Sequence, residues 1–286
     1  MYPEAMSDLV LLEGVHALKH AVRFSAEVSE ILTDDMDKAL ATANTVAPEL
    51  VPLLASRAQV VSRTEFRSRT AQPVHTHVVA YAIRPDYTLA ECMPTAEHPA
   101  ILLDDPRNTK NLGAVVRVGA AAFARGILVN GAVDLFDPMA VRGAAGLQWA
   151  LPCVSSPTLM DDLDDLTERV PHDSGTTDVS GMTASSSGGP TSAAARPLLV
   201  GLDAGGIPFD PAAFPGPVVF AFGSERTGLS TQVRARCDQI VSLPMAPHIS
   251  SLNLATSVSA VMYLRIYAFA GGRDEMGHKC ANSSSE

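Results

Sequence analysis

Hydrophobic positions recur along this chain in two rhythms, and the change of rhythm marks its elements. From Val10 to Phe24 (VLLEGVHALKHAVRF), Leu11, Val15, Leu18 and Val22 fall at helical spacing, which predicts one helix. Ala26 to Leu32 reads as a short strand, and Lys38 to Ser56 as a helix ended or kinked at Pro48 and Pro52. Val60 to Ser62 follows as a strand, Arg63 to Arg69 as a short helix or turn, and His77 to Ala82 as another strand. Beyond about residue 100 the apolar runs become nearly continuous: Ala100 to Asp104, Gly126 to Val129, Leu198 to Leu202, Val218 to Phe222 and Ile240 to Leu243. A helix of small residues over Asn111 to Phe123 and another over about Leu252 to Phe269 complete the second rhythm. Strands apolar on both faces, alternating with helices, predict a parallel sheet covered on both sides. The expectation is an α/β chain in two units, residues 1–87 and 100–270, joined by a linker over 88–99 that contains Pro94 and ends at Pro99.

One segment departs from both rhythms. Residues 171–197 contain Ser-Ser-Ser-Gly-Gly and Ala-Ala-Ala with almost no large apolar side chain, too little burial to offset the entropy of ordering. A flexible insertion is expected there, and a disordered tail over 271–286. The 286 residues are 47% hydrophobic and 18% charged, ample for a packed core. Apolar runs stop short of the roughly 18 to 20 residues of a membrane span, and Met1 to Leu12 lacks the basic start of a signal peptide. Cys92, Cys153, Cys237 and Cys280 are scattered without paired spacing, which fits reduced thiols in a cytoplasmic protein better than disulfides or zinc. A formal net charge of −10 argues against a general nucleic-acid coat. Screening limits surface fields to about 8–10 Å, however, so local clusters still act. Arg57, Arg63, Arg67 and Arg69 form one such cluster, and Arg107, Lys110 and Arg117 another. Acid concentrates elsewhere, at 34–37 and 161–165.

Three strings carry candidate chemistry. Val218 to Phe222 runs straight into Gly223-Ser224-Glu225 and then Gly228. Glycine at the carboxyl end of a parallel strand lets a ligand approach the backbone, although a plain strand-to-helix turn has the same appearance. Leu243-Pro-Met-Ala-Pro-His-Ile-Ser-Ser-Leu-Asn253 ends a strand and opens a helix, with Ser250 and Ser251 as ordinary N-cap candidates. Asn111-Leu-Gly-Ala-Val-Val-Arg117 sets two polar residues six apart, about one and two-thirds helical turns. They share a face only if Asn111 precedes the helix, so Asn111 is placed at or before its N-terminus. A fourth stretch, Arg142-Gly-Ala-Ala-Gly146, reads as a helix packed where side chains have no room. Gly201-Leu-Asp-Ala-Gly-Gly206 lacks the dinucleotide fingerprint and is expected to be a turn able to flank a ligand. The pair His75 and His77 has no third ligand nearby for a metal.

In this order and spacing, the strings resemble the SpoU (TrmH-like) family of S-adenosylmethionine-dependent RNA ribose 2′-O-methyltransferases, over about Ile101 to Ala270. The resemblance implies an α/β-knot fold, with a trefoil-knotted parallel sheet, for the second unit. It implies S-adenosyl-L-methionine as methyl donor, no metal, and a homodimer with its active site near the subunit interface. The catalytic set would be Arg117, Asn111, Glu225, Ser251 and Asn253, and Leu202, Gly223, Leu243 and Leu252 would line the cofactor pocket. Glu225 would position its neighbours rather than attack. Arg117 matches the family's catalytic arginine. A guanidinium is a poor proton acceptor, so its expected role is to bind a phosphate or the developing alkoxide. The first unit resembles the small L30e-like substrate-binding domain on Glu13-Gly-Val-His-Ala17 and Val78-Val-Ala80. RNA contacts are expected from Arg63, Arg67, Arg69, Arg107, Lys110 and Arg142. Two departures stand out: Val118 where the family often has threonine, and Pro247-His248 where it tends to have glycine near 247. Ribosomal RNA is the implied substrate. Transfer RNA, or a non-catalytic knotted RNA-binding protein, are the alternatives, and a base-methylating knotted family resembles the chain less around Ser-Leu-Asn.

Overall fold

The computed structural model describes residues 8–168, 196–249 and 251–270. Its first sheet contains β1 (Leu9–Glu13), β2 (Val28–Thr33), β3 (Gln59–Val60) and β4 (Val79–Ile83), in the order β1-β4-β2-β3. Strand β4 pairs antiparallel with β1 and β2, and β3 adds in parallel to β2. Helices α1 (Val15–Arg23), α2 (Met36–Val46), α3 (Val51–Arg57) and α4 (Arg63–Ser68) accompany it. The single helix expected over Val10 to Phe24 is therefore a strand followed by a helix. Val10 and Leu12 point into one core cluster and Leu11 into another, so this run is buried on both faces. Apolar spacing alone does not separate such a strand from a helix. Gly14, at φ +91°, makes the break, and the Thr76 hydroxyl accepts from the Val15 amide (3.2 Å).

The second sheet contains β5 (Ala100–Asp104), β6 (Ile127–Asn130), β7 (Cys153–Ser156), β8 (Leu198–Pro208), β9 (Val218–Phe222) and β10 (Gln239–Ser242). Its order is β10-β8-β9-β5-β6-β7, and every neighbouring pair is parallel. With it come α5 (Leu89–Cys92), α6 (Thr109–Ala121), α7 (Pro138–Ala144), α8 (Leu159–Glu168), α9 (Thr231–Arg236) and α10 (Leu254–Ala270). Both faces are covered, as the continuous apolar strands predict. Ile101 and Leu103 of β5 join Val115, Val116, Val258 and Val261 on one side. Ala100 and Leu102 join Leu159, Leu163 and Val233 on the other. The acid run at 161–165 conceals α8 in the sequence. Leu159, Met160 and Leu163 turn inward, while Asp161 and Asp164 accept from Arg236 at 3.0 and 2.9 Å. The linker also holds a helix, α5, opened by a capping box between Thr88 and Glu91.

Small residues bring α6 and α7 together. A Cβ on Gly113 would lie 2.4 Å from the Ala140 carbonyl oxygen, so the close crossing expected for the Arg142–Gly146 stretch is present. The same stretch ties the two sheets to each other. A Cβ on Gly146 would meet the Ala17 carbonyl oxygen at 2.3 Å, and His20 Nδ1 donates to the Ala145 carbonyl (2.8 Å). Arg142 reaches the nearly buried Glu13 carboxylate (3.5 Å) and the Pro73 carbonyl (3.3 Å). Arg84 clamps Asp134 with two bonds of 2.8 and 2.7 Å. Of the expected insertion, residues 171–195 lie outside the described residues, as does the tail 271–286. Arg196, at the insertion's end, pairs with Asp238.

Candidate active site

Three separate elements meet at the carboxyl ends of β8, β9 and β10. The first is the start of α6. The Asn108 side chain caps it by accepting from Lys110 N (3.1 Å) and Asn111 N (3.4 Å), so Asn111 lies inside the first turn rather than before it. The second is the turn after β9. A Cβ on Gly223 would sit 2.0 Å from the Gly228 carbonyl carbon and 2.2 Å from Leu229 N. Glycine is thus required because the turn folds back on the strand end. Ser224 and Gly228 exchange both backbone hydrogen bonds (3.1 and 3.0 Å), the Ser224 and Thr227 hydroxyls bond at 2.7 Å, and Gly228 sits at φ +68°. The third is the start of α10, capped by Asn253, whose Oδ1 accepts from Ala255 N (3.0 Å) and Thr256 N (3.4 Å). This replaces the expected cap at Ser250 or Ser251; Ser250 lies outside the described residues.

Side chains from these elements form one line of hydrogen bonds. Asn111 Nδ2 donates to Glu225 Oε1 (2.6 Å), and Asn253 Nδ2 donates to Asn111 Oδ1 (3.1 Å). An ionised carboxylate only accepts, so Glu225 fixes the orientation of the Asn111 amide, which fixes that of Asn253. Each amide is held at both ends.

Beside this line lies a cavity of about 640 Å³, within the size range of small-molecule sites. Leu202, Gly223, Leu243 and Leu252 all line it, as do Glu225, Ser251 and Asn253. Asp203, Arg226, Met245 and Leu254 also line it and were not singled out from the sequence. Asp203 was legible in part, since it sits in the Gly201–Gly206 string expected to be a turn. That string is instead part of β8, whose register with β10 jumps between Gly201↔Ile240 and Ile207↔Val241, and Leu202, Asp203 and Ala204 within the jump line the cavity. Asp203 is ion-paired with Arg234 and accepts from Gly205 N (2.9 Å). His248 stands at φ +69°, the left-handed region that glycine adopts most cheaply, next to where the resemblance led one to look for glycine.

Other expected site residues lie apart. Arg117 is exposed and does not line the cavity. Six residues beyond Asn111, it sits about 9 Å farther along the helix and on another face. It lies near His20 of α1. Burial is the main cause that lowers the His20 pKa below its ordinary value, and the charges of Lys19, Arg23 and Arg117 add to it. Of the residues expected to touch RNA, Arg107 is paired with Asp105 (2.9 Å), Arg69 with Glu30 (3.6 Å) and Glu65 (3.9 Å), and Arg142 spans the junction between the sheets. Arg63, Arg67 and Lys110 are exposed. Among the described residues no group of three potential metal ligands occurs.

A family model described as the SpoU rRNA methylase family matches residues 98–263, more than half of the chain and a span that holds all three motif strings. The 23S rRNA (uridine(2479)-2′-O)-methyltransferase of Streptomyces viridochromogenes is 31% identical over 202 residues, covering 68% of this chain. The match spans 62% of that relative's length. The crystal structure of the SpoU methyltransferase AviRb from Streptomyces viridochromogenes superposes with a TM-score of 0.71 at 26% identity, covering 94% of this chain and 93% of that one. The structure of AviRb in complex with the cofactor AdoMet shares the fold at a TM-score of 0.71 and 24% identity.

Proposed function

The chain belongs to the SpoU rRNA methylase family, and from that premise we propose that it transfers a methyl group from S-adenosyl-L-methionine to a ribose 2′-hydroxyl of ribosomal RNA. The observation that carries this reading is the Glu225–Asn111–Asn253 line of hydrogen bonds, whose two end members, Glu225 and Asn253, line a nucleoside-sized cavity. The cavity's chemistry suits the donor. Leu202, Leu243, Leu252 and Leu254 offer apolar walls to a purine, and the strand ends at Gly223 and Leu243 offer backbone polar groups to its edges. When bound, S-adenosylmethionine supplies an electrophilic sulfonium methyl. The chain's own contribution is orientation. Asn111 and Asn253 present fixed amide groups to the sugar, Ser251 adds a hydroxyl at the cavity wall, and Glu225 holds the line in register. Positioning of this kind is worth several kcal/mol of barrier.

We read the assembly as a homodimer through α10 and α6. The inward residues Leu254, Val258, Val261 and Met262 are buried, yet Tyr263, Leu264 and Tyr267 remain 38%, 44% and 75% exposed. A helix apolar on every side is normally buried on every side. In such a pair the exposed Arg117 would serve the site of the partner copy, where a guanidinium stabilises the developing alkoxide. The parallel six-stranded order supports reading residues 100–270 as the α/β-knot, and the four-stranded unit within 1–87 as an L30e-like RNA-docking domain. No helix among the described residues is long and apolar enough to cross a membrane, and we place the protein in the cytoplasm with its RNA substrate. Labelled S-adenosylmethionine, incubated with the protein and unmodified ribosomal RNA, should yield a 2′-O-methylated nucleoside at one position after digestion. Label in a base, or transfer only to transfer RNA, would replace this reading.

A further inference from the structure

We propose that Arg226 is a substrate-binding residue, taking a phosphate of the RNA strand beside the target ribose. The inference rests on the methyl-transfer reading of the site and adds a residue to it. Arg226 lines the cavity yet is exposed, at the tip of the turn that carries Glu225. That turn is pinned at its base by the paired backbone bonds of Ser224 and Gly228 and by the closeness of Gly223 to Gly228. The arginine is therefore presented from a pre-ordered loop, so that binding need order only its side chain.

The charges around it leave it available. Arg107 is held by Asp105, Arg234 by Asp203 and Arg196 by Asp238. The same Arg234 pair neutralises Asp203, a second carboxylate of the cavity wall. A ribose whose hydroxyl faces the amide line carries phosphates on either side, and guanidinium is the side chain best matched to that oxyanion. With a formal net charge of −10, the whole molecule does not attract RNA, and cations at the mouth must hold the strand locally.

The test uses the full chain, unmodified ribosomal RNA transcribed in vitro, and the variants Arg226→Gln and Arg226→Lys. For Arg226→Gln, KM for RNA should rise about five- to tenfold, well beyond any fall in kcat. The slope of log binding constant against log salt should shrink by about 0.7 to 0.9. Arg226→Lys should recover most of that slope, and calorimetric affinity for S-adenosylmethionine should stay within about twofold. An unchanged RNA KM and salt slope would overturn the proposal. Weakened cofactor affinity at constant RNA binding would also overturn it, by assigning Arg226 to the cofactor's carboxylate. If the wild-type protein neither binds nor methylates this RNA, the functional reading itself fails, a result distinct from a silent Arg226 variant.

Discussion

Replacing Gly223 with alanine adds one methyl group, and the structure states where it would go. The ideal Cβ lies 2.0 Å from Gly228 C, 2.2 Å from Leu229 N and 2.4 Å from Gly228 O, all of them backbone atoms. Ordinary contact begins at 3.4 Å, so the strand end and the turn must separate by about 1.4 Å (3.4 minus 2.0). No side-chain rotation relieves this, because no flexible atom is involved. The paired Ser224–Gly228 bonds at 3.1 and 3.0 Å are the contacts that would give way. Overpacking at about 1–3 kcal/mol, plus two backbone bonds at about 1 kcal/mol each, suggests a loss of roughly 3–5 kcal/mol. At about 2–4 °C per kcal/mol for a chain of this size, Tm should fall roughly 6–20 °C. Circular dichroism melts measure the fall, and calorimetry should show loss of S-adenosylmethionine binding as Glu225 is displaced with its turn. The control is Gly216→Ala, where nothing lies within 4 Å and Tm should move by no more than about 2 °C. A Gly223→Ala protein with normal Tm and normal cofactor affinity would refute the claim that this turn is locked against β9. Bulk at 223 thus acts by moving the turn and its carboxylate.

Asn111→Ala and Arg117→Ala should each abolish methyl transfer. Mixing the two inactive proteins should restore roughly a quarter of wild-type activity, because half the dimers are mixed and each mixed dimer has one intact site. No recovery would place Arg117 in the site of its own chain or outside catalysis. Arg142→Ala strips the charged partner from a Glu13 side chain only 2% exposed, and should cost about 1–3 kcal/mol in a melt. RNA salt dependence should hold constant in that variant, since a changed slope would return Arg142 to the RNA surface. Stability should also decline in alkali. Burial pushes Cys92 and Tyr87 up to about 12 and Cys237 up to about 11. Groups raised in this way contribute stability that is complete below their unfolded values, about 8.5 for cysteine and 10 for tyrosine. That contribution is lost as pH climbs through the folded values. Tm should therefore drop between about pH 8.5 and 11, and a flat profile there would contradict the burial of these groups.

Local features of this chain were legible wherever local physics decides them. Strands β5 and β9 begin and end where the sequence places them, because apolar runs bounded by Pro99 and Asp104, and by Pro217 and Gly223, leave little freedom at either end. The cavity leucines and the polar residues of the three strings were named from their motifs, and the structure brings Asn111, Glu225 and Asn253 into one hydrogen-bonded line. The split of Val10–Phe24 into β1 and α1 was not legible, since a strand buried on both faces shares its apolar density with a helix. Nor were the helix inside the acid run, the capping role of Asn253, or the lining residue Arg226, which depends on a turn folding back on its strand, and Asp203 was legible only in part, since its place depends on a register jump in β8. Sequence alone determined which residue types stand at the ends of which strands. Only the tertiary structure decided that residues as far apart as 111 and 253 are hydrogen-bonded to each other while Arg117, six places from Asn111, points elsewhere. Helical pitch separates neighbours in sequence, and the order of strands in a sheet, set by long-range packing, brings distant ones together.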